Sequence, residues 1–123
     1  MNVLCPCVSV VDDDESVRES LPDLLKEFGF AVQAFSSAEE FLASDSLGRT
    51  NCLILDIAMP GMSGPELQQE LTRRMRPIPV VFITAHADEA VRPRSSERSA
   101  VQCLLKPFSE SALIEALNAA LRA

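Results

Sequence analysis

Apolar and polar positions along the chain fall into two kinds of segment that alternate. "CVSVVD" (Cys7–Asp12) is a short β-rich apolar tract that closes on an acid. Val17, Leu21, Leu24, Leu25 and Phe28 then recur at helical spacing, and Gly29 stands where such a helix would stop. "AVQAF" reads as a second strand, and "SSAEEFLASD" opens with a Ser36-x-x-Glu39 capping box that starts a second helix. "CLILD" (Cys52–Asp56) is a third strand, apolar until its last residue. "SGPEL" repeats the capping logic with Ser63 and Glu66, and Leu67, Leu71 and Met75 line one face of the helix that follows. "IPVVFITA" and "AVQCLLK" are the fourth and fifth strands. "SESALIEALNAALRA" then places Leu113, Ile114, Leu117 and Leu121 on a helical stripe.

One helical slot is weak. Between His86 and Ala100, "ADEAVRPRSSERS" has few apolar residues and carries Pro93. A proline in a helix interior removes a hydrogen bond and clashes with the preceding turn, at about 3 kcal/mol. This fourth helix is expected to be short, kinked or mobile, and Pro22 raises the same question more mildly for the first. Strand–helix alternation with continuous apolar strands predicts an α/β fold, a doubly wound parallel sheet with helices on both faces. In such sheets the crossovers are right-handed, and ligands gather beyond the carboxyl ends of the strands.

Composition narrows the classes. A chain of 123 residues, 47% hydrophobic, fits one globular domain with a real core. No apolar run approaches the roughly 18 residues that cross a bilayer, and "MNVLCPC" lacks the basic-then-apolar pattern of a secretory signal, so a cytosolic protein is expected. The formal charge of −7 argues against nonspecific nucleic-acid binding and suits a cationic ligand or a basic partner surface. Cys5, Cys7, Cys52 and Cys103 make no zinc set at a usual spacing. They read as reduced structural thiols.

The candidate chemistry lies at the strand ends. The first strand runs into Asp12, Asp13, Asp14 and Glu15, the third delivers Asp56, the fourth Thr84 and the fifth Lys106. A parallel sheet brings all these ends to one edge. Clustered carboxylates raise one another's energy unless something positive sits among them. A small hard cation does this, because Mg²⁺ takes oxygen ligands and keeps several waters. With such a cation a dianionic phosphoryl group can approach. Lys106 and the Thr84 hydroxyl then meet its oxygens, and Asp56 attacks. Blander readings stand beside this one: Asp12–Glu15 as a solvated helix start, Asp56 as a turn residue, Thr84 as an ordinary strand residue, Lys106 as a surface lysine, and His86 as a solvated loop residue. Arg92, Arg94 and Arg98 read as an exposed basic face.

"VVDDD", "LILDIAMPGMSGPEL", "VVFITA" and "LLKPF", in this order over nearly the whole chain, resemble the successive motifs of response-regulator receiver domains of the CheY-like superfamily, with a FixJ-type flavour. The D-x-x-M-P-x-M-x-G run from Asp56 to Gly64 is the most specific of them. The resemblance implies a single receiver domain over residues 1–123 with a five-stranded sheet in flavodoxin- or CheY-like order 2-1-3-4-5. It implies that Asp56 accepts a phosphoryl group from the phosphohistidine of a sensor histidine kinase or phosphotransfer protein, in a two-component or phosphorelay system. Mg²⁺ (or Mn²⁺) would be held by Asp13, Asp56 and the backbone carbonyl of Ala58, with Asp12 acting mainly through water. Thr84 and Lys106 would grip the phosphoryl oxygens, and the Lys106–Pro107 bond would be cis. Such a protein is a self-phosphorylating acceptor with slow autodephosphorylation, not a turnover enzyme. Its partners would include a downstream effector, and a homodimer could form through the face of the fourth helix and fifth strand. Membrane and direct nucleic-acid contacts are not expected.

Two positions depart from the family pattern. Cys103 stands where many receivers place an aromatic residue coupled to the threonine, and Ser99 where glycine is usual. Both fall on the fourth-helix and fifth-strand face, so switching through Thr84 and Cys103 is expected to differ from a ring swing, with an output face pre-shifted or loosened. The alternative is an atypical receiver that acts as a phosphorylation-independent interaction module. A flavodoxin-like cofactor domain ranks lower, because the loop after the first strand is acidic and would repel a flavin phosphate. A magnesium phosphatase would need binding elements for a second reactant, and none is visible. The sequence leaves open a stand-alone receiver or part of a longer regulator, the cognate kinase, and the oligomeric state.

Overall fold

The computed structural model describes residues 6–85 and 102–122. Five parallel strands form one sheet: β1 (Cys7–Val11), β2 (Ala31–Phe35), β3 (Cys52–Asp56), β4 (Val80–Thr84) and β5 (Gln102–Leu105). Their spatial order is β2-β1-β3-β4-β5, as the family resemblance implied. The chain leaves β1 toward one edge and returns to β3 on the other side, so the switch point lies between the tips of β1 and β3. Register makes this specific: Val11 pairs with Leu55, and Asp12 and Asp56 therefore leave adjacent strands side by side.

The period-2 alternation of strand side chains divides the core into two layers. Val8, Val10, Cys52, Ile54, Val81 and Ile83 point to one face, where Leu21 and Leu25 of α1 (Glu15–Glu27) and Leu113 and Leu117 of the C-terminal helix (Glu110–Arg122) cover them. Val11, Leu53, Leu55, Val80 and Phe82 point to the other, against Phe41 of α2 (Ala38–Leu42) and Leu67 and Leu71 of α3 (Gly64–Arg73). β3 and β4 are apolar up to their last residues because both of their faces are covered, whereas edge strand β2 carries Gln33 and is largely exposed.

Helix ends follow local chemistry. α1 starts on Asp14, whose carboxylate accepts from the Ser16 N–H, and runs through Pro22 to a Schellman stop. There the Phe30 N–H donates to the Leu25 carbonyl and the Gly29 N–H to that of Lys26, with Gly29 left-handed at φ 93°. Ser63 and Glu66 form both arms of a capping box on α3. α2 corrects the expectation in register: Ser37, not Ser36, is the cap and accepts from the Glu40 N–H, while the Glu40 carboxylate accepts from Ser36. Glu39 takes no part in this cap. α2 is short and is followed by a 3-10 turn over Asp45–Gly48.

Two buried stripes end sooner than their helical spacing predicts. Phe28 lies at the α1 cap, 48% exposed, and Met75 lies beyond α3, 85% exposed. The fourth helical slot, with His86, Arg92, Pro93, Arg94, Arg98 and Ser99, lies outside the described residues, as does Cys5.

Candidate functional site

The site grows from the tip of β1. Asp12 is fully buried, held by its N–H to the Phe35 carbonyl at 3.1 Å and by its Oδ1, which accepts from the Asp14 N–H at 2.9 Å. Its Oδ2 accepts from Lys106 Nζ at 3.1 Å, so residues 94 apart in sequence are joined across the sheet edge. Asp56, 6% exposed, closes β3 beside it. One carboxylate oxygen each from Asp12, Asp13 and Asp56 lies within 4.8 Å of the others, and exposed Asp13 opens the group to solvent. The four-acid run therefore divides: Asp12 and Asp13 join the cluster, whereas Asp14 caps α1 and Glu15 occupies its first turn.

Electrostatics follow from this crowding. Burial pushes the Asp56 carboxyl up to about 7, helped by the charges of Asp12 and Asp13 and opposed by Lys106. Burial works against the charge of Lys106, but the hydrogen bond to Asp12 and the charges of Asp12, Asp56 and Asp14 together hold it above its ordinary value. Ser16 holds Asp14 below the usual carboxylate range. The donor set is three carboxylates with no sulfur or nitrogen ligand, which fits a hard cation such as Mg²⁺ or Mn²⁺.

The remaining predicted residues lie around this group. Thr84 is fully buried at the end of β4, and its carbonyl accepts from the Lys106 N–H at 2.7 Å. The Lys106–Pro107 peptide bond is cis. Ala58 lies two residues beyond Asp56 in the exposed part of the loop to α3. Cys103 sits on β5 opposite Phe82, half-buried against the layer that holds Val11, Leu55 and Met59. Cys52 is buried in β3, which pushes its thiol up to about 12.

Three further residues bear on the site in roles that the sequence pattern did not assign to them. Arg18, one turn into α1, donates from its guanidinium to the Asp12 carbonyl at 3.2 Å. Gly64, quoted only as part of a motif, lies so close to β3 that a Cβ there would collide with the Asp56 carbonyl. Glu39 of α2 accepts from the Met62 N–H at 3.2 Å, across to the loop that follows Asp56. A glycine in register with an acid at a strand end is a signal for Gly64. Arg18 and Glu39 depend on how helices dock and leave no comparable mark.

Comparison with known proteins agrees with this fold. Residues 8–118 match the family model described as the response regulator receiver domain. The chain is 44% identical over 113 residues to nodulation protein W of Bradyrhizobium diazoefficiens, covering 92% of this chain and 50% of that protein. It is 40% identical over 114 residues to the transcriptional regulatory protein FixJ of Azorhizobium caulinodans, covering 93% and 54%. The chain thus spans about half the length of these curated relatives. Among solved structures, the response regulator TrrA of Thermotoga maritima, in complex with Mg²⁺–BeF, superposes with a TM-score of 0.80 at 30% identity, covering 94% of this chain and 99% of that one.

Proposed function

The chain belongs to the response regulator receiver domain family of two-component signalling, and from that premise we propose that residues 1–123 form one receiver domain in which Asp56 is the phosphoacceptor. The observation that carries this reading is the meeting of Asp12, Asp13 and Asp56, with Lys106 bonded to Asp12, at the switch point of the sheet. Asp13, Asp56 and the Ala58 carbonyl would hold Mg²⁺ or Mn²⁺, with Asp12 acting through water; the bound cation neutralises the pocket so that a phosphoryl dianion can enter. TrrA, which binds Mg²⁺–BeF, supports this choice.

In the reaction an Asp56 carboxylate oxygen attacks the phosphorus of a phosphohistidine. The O–P bond forms, the P–N bond breaks, and the imidazole keeps the electron pair and takes a proton from solvent. Lys106 and the Thr84 hydroxyl meet the equatorial oxygens. The protein is an acceptor, not a turnover enzyme. The donor is a sensor histidine kinase or phosphotransfer protein, and the output passes through the fifth-strand face to an effector or a second copy.

Mass spectrometry after treatment with acetyl phosphate and Mg²⁺ should find one added phosphoryl group, not formed when EDTA is present from the start and absent in Asp56→Asn. Labelling that persists in Asp56→Asn would refute the assignment. A second reading rests on Cys103, which puts a small thiol where a ring would report the phosphoryl group. In that case the domain signals without phosphate, and Asp56→Asn binds its partner as the parent does.

A further inference from the structure

We propose that Glu39 is a positioning residue for the acid site, clamping the loop between Asp56 and α3 onto α2. The inference rests on the reading above, in which Asp56 and Ala58 of that loop's near end hold the metal.

The loop over residues 57–63 is tied at three places. At its start the Ile57 N–H donates to the Ile83 carbonyl at 3.0 Å, and its ends are closed by the Gly64 N–H donating to the Ile57 carbonyl at 3.0 Å. The far side of the loop is held from α2. Gly61 is left-handed at φ 77°, and the Glu39 carboxylate lies 3.0 Å from where a Cβ on Gly61 would stand. The same turn presents the Met62 N–H to Glu39 Oε2 at 3.2 Å. Three features therefore interlock: a glycine without a side chain, a backbone conformation that L residues rarely adopt, and a carboxylate seated against both.

The contact is exposed, and two further facts tie it to the fold beneath. The α2 start is already satisfied by Ser37 and Glu40, so the cap makes no demand on Glu39. Met59 and Met62 of the loop pack into the same apolar layer as Ala38 and Phe41 of α2. The loop is thus fastened to α2 by apolar side chains beneath and by one charge-assisted hydrogen bond above. Ala58 lies between this fastening and Asp56, and its place in the site depends on the loop staying down. Geometry of this kind governs affinity and rate more than fold stability.

The test compares Glu39→Ala with Glu39→Gln, which keeps an acceptor oxygen but not the charge. Three quantities are measured: hydrogen exchange of the Met62 amide by NMR in metal-free protein, Mg²⁺ affinity by calorimetry, and the rate of acetyl phosphate labelling. Glu39→Ala is expected to speed Met62 exchange about tenfold and to weaken Mg²⁺ binding and labelling about threefold to tenfold, with the metal-free Tm nearly unchanged. Glu39→Gln, with a neutral acceptor in the same place, should recover about half of each loss. Gly61→Ala should reproduce the loss, and combining it with Glu39→Ala should add little. Unchanged Met62 exchange in Glu39→Ala would overturn the clamp. Equal losses in Ala and Gln would assign the effect to charge at a distance and overturn it too. If the parent chain neither binds Mg²⁺ nor labels, the site reading fails first. Faster Met62 exchange in Glu39→Ala would then leave a loop contact, with the positioning role refuted.

Discussion

At the scale of single residues, Asp56 is held in a place that its own charge disfavours. Burial, with Asp12 and Asp13 adding to it, pushes its carboxyl from an ordinary 3.8 up to about 7. Below about pH 4 folded and unfolded chains both keep this proton, so the group has no effect on stability. As pH rises toward 7 only the folded chain keeps it, and stability falls; above 7 the penalty is constant. In EDTA, Asp56→Asn should therefore be more stable than the parent at pH 8, by about 1–3 kcal/mol, with the gap closing near pH 4. Urea denaturation at both pH values measures this, and a parent more stable than Asp56→Asn at pH 8 would contradict it. The acids and Lys106 were legible because each ends an apolar strand. The Lys106–Asp12 bond itself was not, since 94 residues separate the partners and only the sheet order joins them.

Helices and turns show what local pattern resolves and what it does not. α1 and α3 end in the same Schellman geometry: at α3 the Arg76 N–H donates to the Leu71 carbonyl at 2.8 Å and the Met75 N–H to that of Thr72 at 3.0 Å. α1 fills the left-handed position with Gly29, α3 with Met75 at φ 61°. Periodicity placed Met75 on the buried stripe because it reports spacing and not where the backbone turns out of the helix. The misplaced box at α2 has a similar cause. Ser36, Ser37, Glu39 and Glu40 offer two registers, and the docking of Phe41 in the core selects the second. Met75→Gly should relieve the strained position and raise stability by about 1 kcal/mol, or about 4 °C in Tm, with no effect on Mg²⁺ affinity. A lower Tm would show that the methionine side chain contributes more than its exposure suggests. Gly64→Ala should do the reverse, forcing α3 off the Asp56 carbonyl, destabilising by about 1–3 kcal/mol and weakening Mg²⁺ binding. Gly48→Ala is the control, since a Cβ there meets nothing closer than the Arg76 guanidinium at 4.0 Å.

For the molecule as a whole, the sheet and its two layers were readable because the central strands β3 and β4 are apolar on both faces, a pattern with few solutions. The segment between His86 and Ala100 is the weakest in the sequence, poor in apolar residues and interrupted by Pro93. The same architecture predicts how a cation should act on the entire fold. Asp12 and Asp13 follow β1, Asp56 ends β3, and Lys106, bonded to Asp12, follows β5. An ion held by the acids would tie neighbouring strands at the sheet centre, relieve the repulsion among them, and favour the folded chain, in which alone the three carboxylates meet. For a dissociation constant of about 1 mM, roughly 10 mM Mg²⁺ adds about 1.4 kcal/mol, or about 5 °C in Tm. Because the cation competes with the proton on Asp56, the gain should be larger at pH 8 than at pH 5.5. Asp13→Asn should remove most of it, whereas sodium chloride at equal ionic strength should not reproduce it. Thermal melts in matched buffers decide the matter: a Tm that rises equally with sodium and magnesium would mean that the carboxylates respond to general screening and hold no ion.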